Sequence, residues 1–261
     1  MKKLLLSLCF VLLMLEASAW GSVGHEAIVE LAKMHLTKKT RKEIARFMPY
    51  DIAKDASWMD DHRADEAINY TTHWHSFGYN TRHEYDVNRY LRRGDVLRAL
   101  HIADHNLTRY QELTDSAVVM NLRMILHFVG DMHCPTHANP PFRGSRKPIT
   151  VGGKSFKKFH SLYDAMPELV HPNRDPQTIA EKIDILKSDE QAKVTAGSFL
   201  DWANEIASQC SVIYEWVPVG TEEIDPGIIE QSTDLVNMEL RNAGYRLAAV
   251  LNRYFDPQPQ Q

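Results

Sequence analysis

Leu240-Arg241-Asn242-Ala243-Gly244-Tyr245-Arg246-Leu247-Ala248-Ala249-Val250-Leu251-Asn252-Arg253-Tyr254-Phe255-Asp256-Pro257 carries the pattern that decides the fold class. Leu240, Ala243, Gly244, Leu247, Leu251 and Tyr254 recur at steps of three and four, which places them along one stripe of an α-helix. Asp256-Pro257 ends the run, because proline lacks the N–H that a continuing helix needs. The same spacing appears around Ile28, Leu31 and Leu36, around Leu122, Ile125, Leu126 and Val129, from Ile179 through Ile185, and at Phe199, Trp202 and Ile206. The expectation is an all-α, single-domain helical bundle. Residues 139–155 depart from it: Pro140, Pro141, Gly144, Pro148, Gly152 and Gly153 prohibit continuous helix and predict an irregular loop or short hairpin.

The 261 residues are 44% hydrophobic and 25% charged, a composition that excludes disordered, collagen-like and polytopic membrane chains. Lys2 and Lys3, the apolar run Leu4 to Leu15 and the small triplet Ala17-Ser18-Ala19 read in order as a secretory signal peptide over residues 1–19. Its apolar run is too short to span a bilayer stably. The expected product is a domain of residues 20–261 beginning at Trp20, secreted or periplasmic and without a stable membrane anchor. Removing Lys2, Lys3 and Glu16 takes the formal charge from -4 to -5, so the mature chain lacks the basic footprint of a DNA-binding module. Cys134 and Cys210 then remain in a disulfide-permissive compartment, and the sequence leaves open whether they pair. Asn69-Tyr70-Thr71 and Asn106-Leu107-Thr108 are glycosylation sequons on a eukaryotic secretory route.

Metal-capable side chains fall into five short clusters. In His127-Phe128-Val129-Gly130-Asp131-Met132-His133-Cys134-Pro135-Thr136-His137, His127 and Asp131 are four residues apart and share a helix face. Pro135 turns the chain before His137. His160 and Asp164 repeat the spacing, and two such pairs can face one cavity between helices. Asp60, His75 and His25 complete the set, with His73 a competitor for His75. His35, His62, His83, His101, His105 and His171 have no such neighbours and read as solvated or internally satisfied.

These stretches, in this order, resemble the S1/P1 nucleases, which share a zinc-dependent phospholipase C type fold. The family's N-terminal Trp-Gly-x-x-Gly-His resembles Trp20 to His25, and its Ala-Ser-Trp-x-Asp-x-x-Arg resembles Ala56 to Arg63. Its Trp-His resembles Trp74-His75, its His-Phe-x-Gly-Asp-x-His-x-Pro-x-His resembles His127 to His137, and its last His-x-x-x-Asp resembles His160 to Asp164. The resemblance implies a trinuclear zinc cleft. One ion would take Asp60, His75, His127 and Asp131; a second the Trp20 amine and carbonyl, His25 and Asp131; a third His137, His160 and Asp164. Nitrogen and oxygen donors suit zinc. Three Zn²⁺ would add +6 in one cleft, enough for an acidic chain to hold a phosphodiester. Arg63, beside Asp60, would add charge stabilisation or form an ion pair with Asp60 or Asp61, and Asp60, Asp131 and Arg63 are the expected catalytic residues. Cys134, where the family more often has Gln, matches no ligand position, and His133 is expected behind the ligands.

What the resemblance implies is hydrolysis of single-stranded DNA and RNA to 5′-phosphorylated products, with 3′-nucleotidase activity. A phospholipase C activity of the same fold and a non-catalytic zinc-binding protein are the alternatives, and Pro140-Pro141-Phe142 is the only apolar loop that would suit the first of them. The sequence departs from the nucleases after His75. The third residue on, acidic or amide in the family and engaged with the base, is Gly78 here. Phe77 and Tyr79 would either stack on a base or pack beneath the metals, and Asn80 would replace the missing polar contact.

Overall fold

The computed structural model describes residues 20–142, 144 and 146–257, so the expected signal peptide lies outside the described residues. The helices are α1 (Ser22–His35), α2 (Lys38–Phe47), α3 (Trp58–Asp61), α4 (Val96–Leu107), α5 (Asp115–His133), α6 (Phe159–Asp164), α7 (Met166–Val170), α8 (Pro176–Ile183), α9 (Ser188–Val194), α10 (Phe199–Cys210), α11 (Ile213–Trp216) and α12 (Ile228–Phe255). The strands are two or three residues each: β1 (Phe77–Gly78), β2 (Ala138–Asn139), β3 (Ile149–Val151), β4 (Lys154–Phe156) and β5 (Glu223–Ile224). The fold is all-α, as the spacing of apolar residues predicts.

The stripe on α12 is buried along its length, from Leu240 to Tyr254, and Asp256 caps the helix before Pro257. Gly244 lets α1 approach closely, since a Cβ there would lie 2.5 Å from Leu31 Cδ2 and 2.9 Å from its Cβ. The central helix is α5, opened by Thr114, whose hydroxyl accepts from the Ala117 amide. Every residue from Met124 to His133 is buried, because α1, α4, α10 and α12 all pack against it. A helix buried all round has no polar face, so polar side chains on it must have internal partners or a ligand.

Two details differ from expectation. The stripe from Ile179 stops at Ile183, where Asp184 caps α8, and Ile185 is 65% exposed. Within the expected loop or hairpin region, residues 149–156 form a hairpin, β3 against β4 around Gly152 and Gly153, which both have positive φ. The hairpin is extended by β5, which runs parallel to β3 from much later in the chain. No helix among the described residues is long and apolar enough to cross a membrane.

Candidate metal centre

Five segments converge on the C-terminal half of α5. His127 and Asp131 project from α5 one turn apart, with His127 Nε2 3.0 Å from Asp131 Oδ2. The parallel bridge between β1 and β2 pairs Phe77 with Ala138 and Gly78 with Asn139, which sets His75 beside His137. His137 Nδ1 then donates to the His75 carbonyl. Asp60 arrives on the single turn of α3. That turn is tied to α5 by Arg123, which bonds Asp55 at 2.7 Å and lies over the Trp58 ring at 4.1 Å. His25 stacks on His127 at 4.3 Å between ring centroids, and α6 supplies His160 and Asp164, 3.4 Å apart.

Asp131 is the hub. Its Oδ2 lies 2.8 Å from His75 Nδ1 and 3.0 Å from His127 Nε2, while Oδ1 faces His25 Nε2 at 3.6 Å and His137 Nδ1 at 3.4 Å. Asp60 Oδ1 stands 3.3 Å from His75 Nδ1 and bonds Arg63. On the other side, His137 Nε2 is 2.9 Å from His160 Nε2 and 3.9 Å from Asp164 Oδ1. Trp20 is fully buried one residue before Gly21, whose amide donates to the Asp164 carbonyl at 2.6 Å.

Tautomers follow from the backbone. His127 Nδ1 donates to the Ala56 carbonyl at 2.8 Å, which leaves the Nε2 lone pair facing the cluster; His137 Nδ1, committed to the His75 carbonyl, leaves its Nε2 free in the same way. Burial pulls His25 and His137 down to about 4 and lowers His75 and His160, so these imidazoles are neutral at working pH. Burial works against ionising Asp131 as well, but His127 and His75 outweigh it and hold that carboxyl well below the usual range. Burial pushes Asp164 well up, against the opposing charge of Lys158 and with the Asp131 carboxylate adding to the rise.

The donor set fits a divalent metal. His25 Nδ1 and Nε2, His75 Nε2, Asp60 Oδ2, Asp131 Oδ1 and Asp164 Oδ2 are buried without a hydrogen-bond partner, a costly arrangement for polar atoms unless a cation satisfies them. Nitrogen lone pairs also crowd one another, with His127 Nε2 3.1 Å from His75 Nδ1. Zn–N bonds of about 2.0–2.1 Å bring neighbouring tetrahedral ligands to roughly 3.3 Å, close to what is seen. Among the described residues, three groups are compact enough to hold an ion: His25, His127 and Asp131; Asp60, His75 and His127; and Cys134, His137 and Asp164.

Cys134, assigned no ligand position by the resemblance, has its Sγ 4.0 Å from Asp164 Oδ1 and within reach of the third cluster. Cys134 and Cys210 are both buried and free, so they do not pair. His133 turns away from the cluster. Its Nδ1 donates to the Val129 carbonyl and its Nε2 meets Arg246 at 2.9 Å. Arg246 is fully buried and also bonds Glu205 at 2.6 Å and the Val194 carbonyl at 3.0 Å. The closing helix, legible only as packing in the sequence, therefore clamps the turn that carries Asp131.

Around the mouth, Phe77 and Tyr79 are core side chains, 0% and 2% exposed, so neither ring is open to a base. The Asn80 side-chain oxygen accepts from the amides of Arg82 and Glu84, and its nitrogen bonds Glu84, so it closes a local turn. The accessible aromatic surface lies elsewhere. Phe142, 45% exposed, meets Tyr214 at 5.5 Å, and Tyr214 meets Phe159 at 5.9 Å. These rings line a groove of about 410 Å³ together with His160, Lys158 and Arg146. No pattern in the sequence joins residues so far apart; only the proximity of Phe159 to His160 was a signal.

A family model described as S1/P1 Nuclease matches residues 20–256. Curated relatives agree over nearly full length. Endonuclease 4 of Arabidopsis thaliana is 23% identical over 94% of this chain and 92% of its own. Nuclease P1 of Penicillium citrinum is 22% identical over 89% and 97%, and Nuclease S1 of Aspergillus oryzae 20% identical over 89% and 91%. The chain belongs to the S1/P1 nuclease family and is a phosphodiester hydrolase, in a family that in general depends on zinc.

Proposed function

We propose that the mature chain is a secreted zinc-dependent endonuclease that hydrolyses single-stranded DNA and RNA to 5′-phosphorylated products, with 3′-nucleotidase activity, using three Zn²⁺. The observation that carries this reading is the convergence of partnerless buried donors around Asp131. Asp60, His75, His127 and Asp131 would hold one ion, Trp20, His25 and Asp131 a second, and His137, His160 and Asp164 the third. Zinc bound there supplies Lewis acidity for a water and for the phosphate oxygens.

The protein's own groups do the rest. His127 and His137 are fixed as Nε2 ligands by carbonyls, so no reorganisation is needed when a charge arrives. Asp131 presents one oxygen to the His75 and His127 side and the other to the His25 side, the disposition a shared ligand needs. Arg63 bonds Asp60 and keeps Nε without a partner, leaving a guanidinium donor to steady a phosphate as charge builds on it. The Phe142, Tyr214 and Phe159 surface gives unpaired bases something to stack on, and a base held in a duplex cannot use it.

Side-by-side assay of single-stranded DNA, RNA and phosphatidylcholine tests the reading. Cleavage of the polynucleotides supports it; hydrolysis of the lipid alone would replace it with phospholipase C activity, and no hydrolysis by zinc-loaded protein would leave a zinc-binding protein.

A further inference from the structure

Gly78 has no side chain, yet the space above it is filled. A Cβ there would lie 2.3 Å from Arg89 Cδ, 3.0 Å from its Cγ and 3.1 Å from its Nε. The backbone of Gly78 is not in the left-handed region, so what excludes a side chain is Arg89 rather than local conformation. The stem of Arg89 lies across β1, and its Nη1 donates to the carbonyls of Asn139 at 3.2 Å and Tyr79 at 3.5 Å. The guanidinium is thereby held at the edge of the same β1–β2 bridge that sets His75 beside His137.

Arg89 lines two openings. One is the aromatic groove that contains His160; the other, of about 300 Å³, is lined by His75 together with Thr72, His73, Tyr90 and Arg93. Both therefore reach a metal-ligating residue. The smaller opening is chemically one-sided, since its lining has two guanidiniums, imidazoles and hydroxyls but no carboxylate. No carboxylate pairs with Arg89 or Arg93 among the described residues, whereas Arg63, Arg82 and Arg123 each have one. A partly buried arginine pinned by carbonyls and left without a counter-ion is arranged to receive an anion, and a guanidinium matches phosphate geometry.

Resting on the nuclease reading, we propose that Arg89 and Arg93, with His73, form a phosphate subsite beside His75 that takes a backbone phosphate flanking the scissile one. The protein would thus grip its substrate through the strand's charge at the place where the resembled nucleases engage a base through an acidic or amide side chain. The pattern explains why Gly78 is tolerated: a carboxylate there would neutralise Arg89 and repel the phosphate.

The test uses processed, zinc-loaded protein and Arg89→Met, which keeps an apolar stem over Gly78. Charge-assisted hydrogen bonds of about 1.5–3 kcal/mol correspond to roughly 10- to 150-fold. On an all-phosphate oligothymidylate Arg89→Met should lose that much kcat/KM, chiefly through KM, with Arg89→Lys recovering part of it. Its dependence on salt should be shallower by about one charge. On a strand with neutral methylphosphonates flanking the scissile phosphate, the wild-type protein should already show the loss, and Arg89→Met should add less than about twofold. Zinc content and melting temperature of the variant should match the wild type.

Equal losses on both strands would overturn the subsite and make Arg89 a packing residue. A loss that follows guanine content but not flanking charge would also overturn it, in favour of base reading. Failure of the wild-type protein to cleave either strand would instead sink the nuclease reading, so the two failures are separable.

Discussion

Gly130 lies between His127 and Asp131 on α5, where that helix meets α1, and replacing it with alanine should damage function more than stability. A Cβ at Gly130 would lie 2.7 Å from His25 Nδ1, 3.0 Å from its Cε1 and 3.3 Å from Ile28 Cδ1. Ordinary contact begins at 3.4 Å, so the imidazole must retreat by 0.7 Å, the difference between 3.4 and 2.7. Alanine gains about 1 kcal/mol of helix propensity over glycine, and overpacking a buried contact costs about 1–3 kcal/mol. The net destabilisation should lie between about 0 and 2 kcal/mol, a fall of at most about 8 °C in melting temperature for a chain of this size. Function depends on where His25 sits. A displacement near 1 Å in catalytic machinery can cost about 100-fold, so Gly130→Ala should lose bound zinc at the His25 site and about 10- to 100-fold in kcat/KM. Elemental analysis, thermal melting and initial rates on single-stranded DNA measure all three. Full zinc content with full activity in Gly130→Ala would refute both the role of His25 and the closeness of the α1–α5 contact.

Asp131→Ala should be the most damaging single ligand change, removing more than one zinc per chain, because its two oxygens face different imidazoles; a variant that loses one ion or none would contradict the shared role. In metal-free protein, His25 and His137 stay neutral down to about 4, whereas unfolded imidazoles take up protons from about 6.5. Between these values the unfolded state binds more protons, so stability rises with pH and is lost on acidification. The loss should not exceed about 1.4 kcal/mol per pH unit per histidine and be visible as a falling melting temperature; a flat profile from pH 6.5 to 4 would show that these rings are not buried as described. Finally, a chain carrying an extra methionine before Trp20 should hold less zinc and react slowly, since an amide nitrogen cannot replace a free amine as ligand. Equal zinc and equal rate in the two forms would remove Trp20 from the ligand set.

Helical periodicity exposed the fold because most of the core is built from one-sided stripes such as Leu240 to Tyr254, and the i, i+4 pairs on α5 and α6 could be read for the same reason. The metal-capable residues were legible because each sits in a short local motif. Whatever depends on distant segments was not. The β3–β5 pairing joins residues some seventy positions apart through strands of two or three residues, with no alternation to read. Arg246, a charge on an otherwise apolar stripe, gave no sign that it would be buried against His133 and Glu205. Phe77 and Tyr79 had two readings in the sequence, and their burial favours packing, because the β1–β2 bridge turns both inward. Arg89 was invisible for a different reason: a glycine reports that a side chain is missing, not which one comes to fill the space.

The most direct test of a zinc phosphodiesterase built around Asp131 is a titration. Processed protein, stripped by a chelator and dialysed, is assayed on single-stranded DNA as zinc is returned in measured equivalents. Activity should be absent without metal, rise with added zinc and reach its plateau at about three equivalents per chain, the number proposed above. Undiminished cleavage by the stripped protein, or a plateau at a single equivalent, would contradict the account.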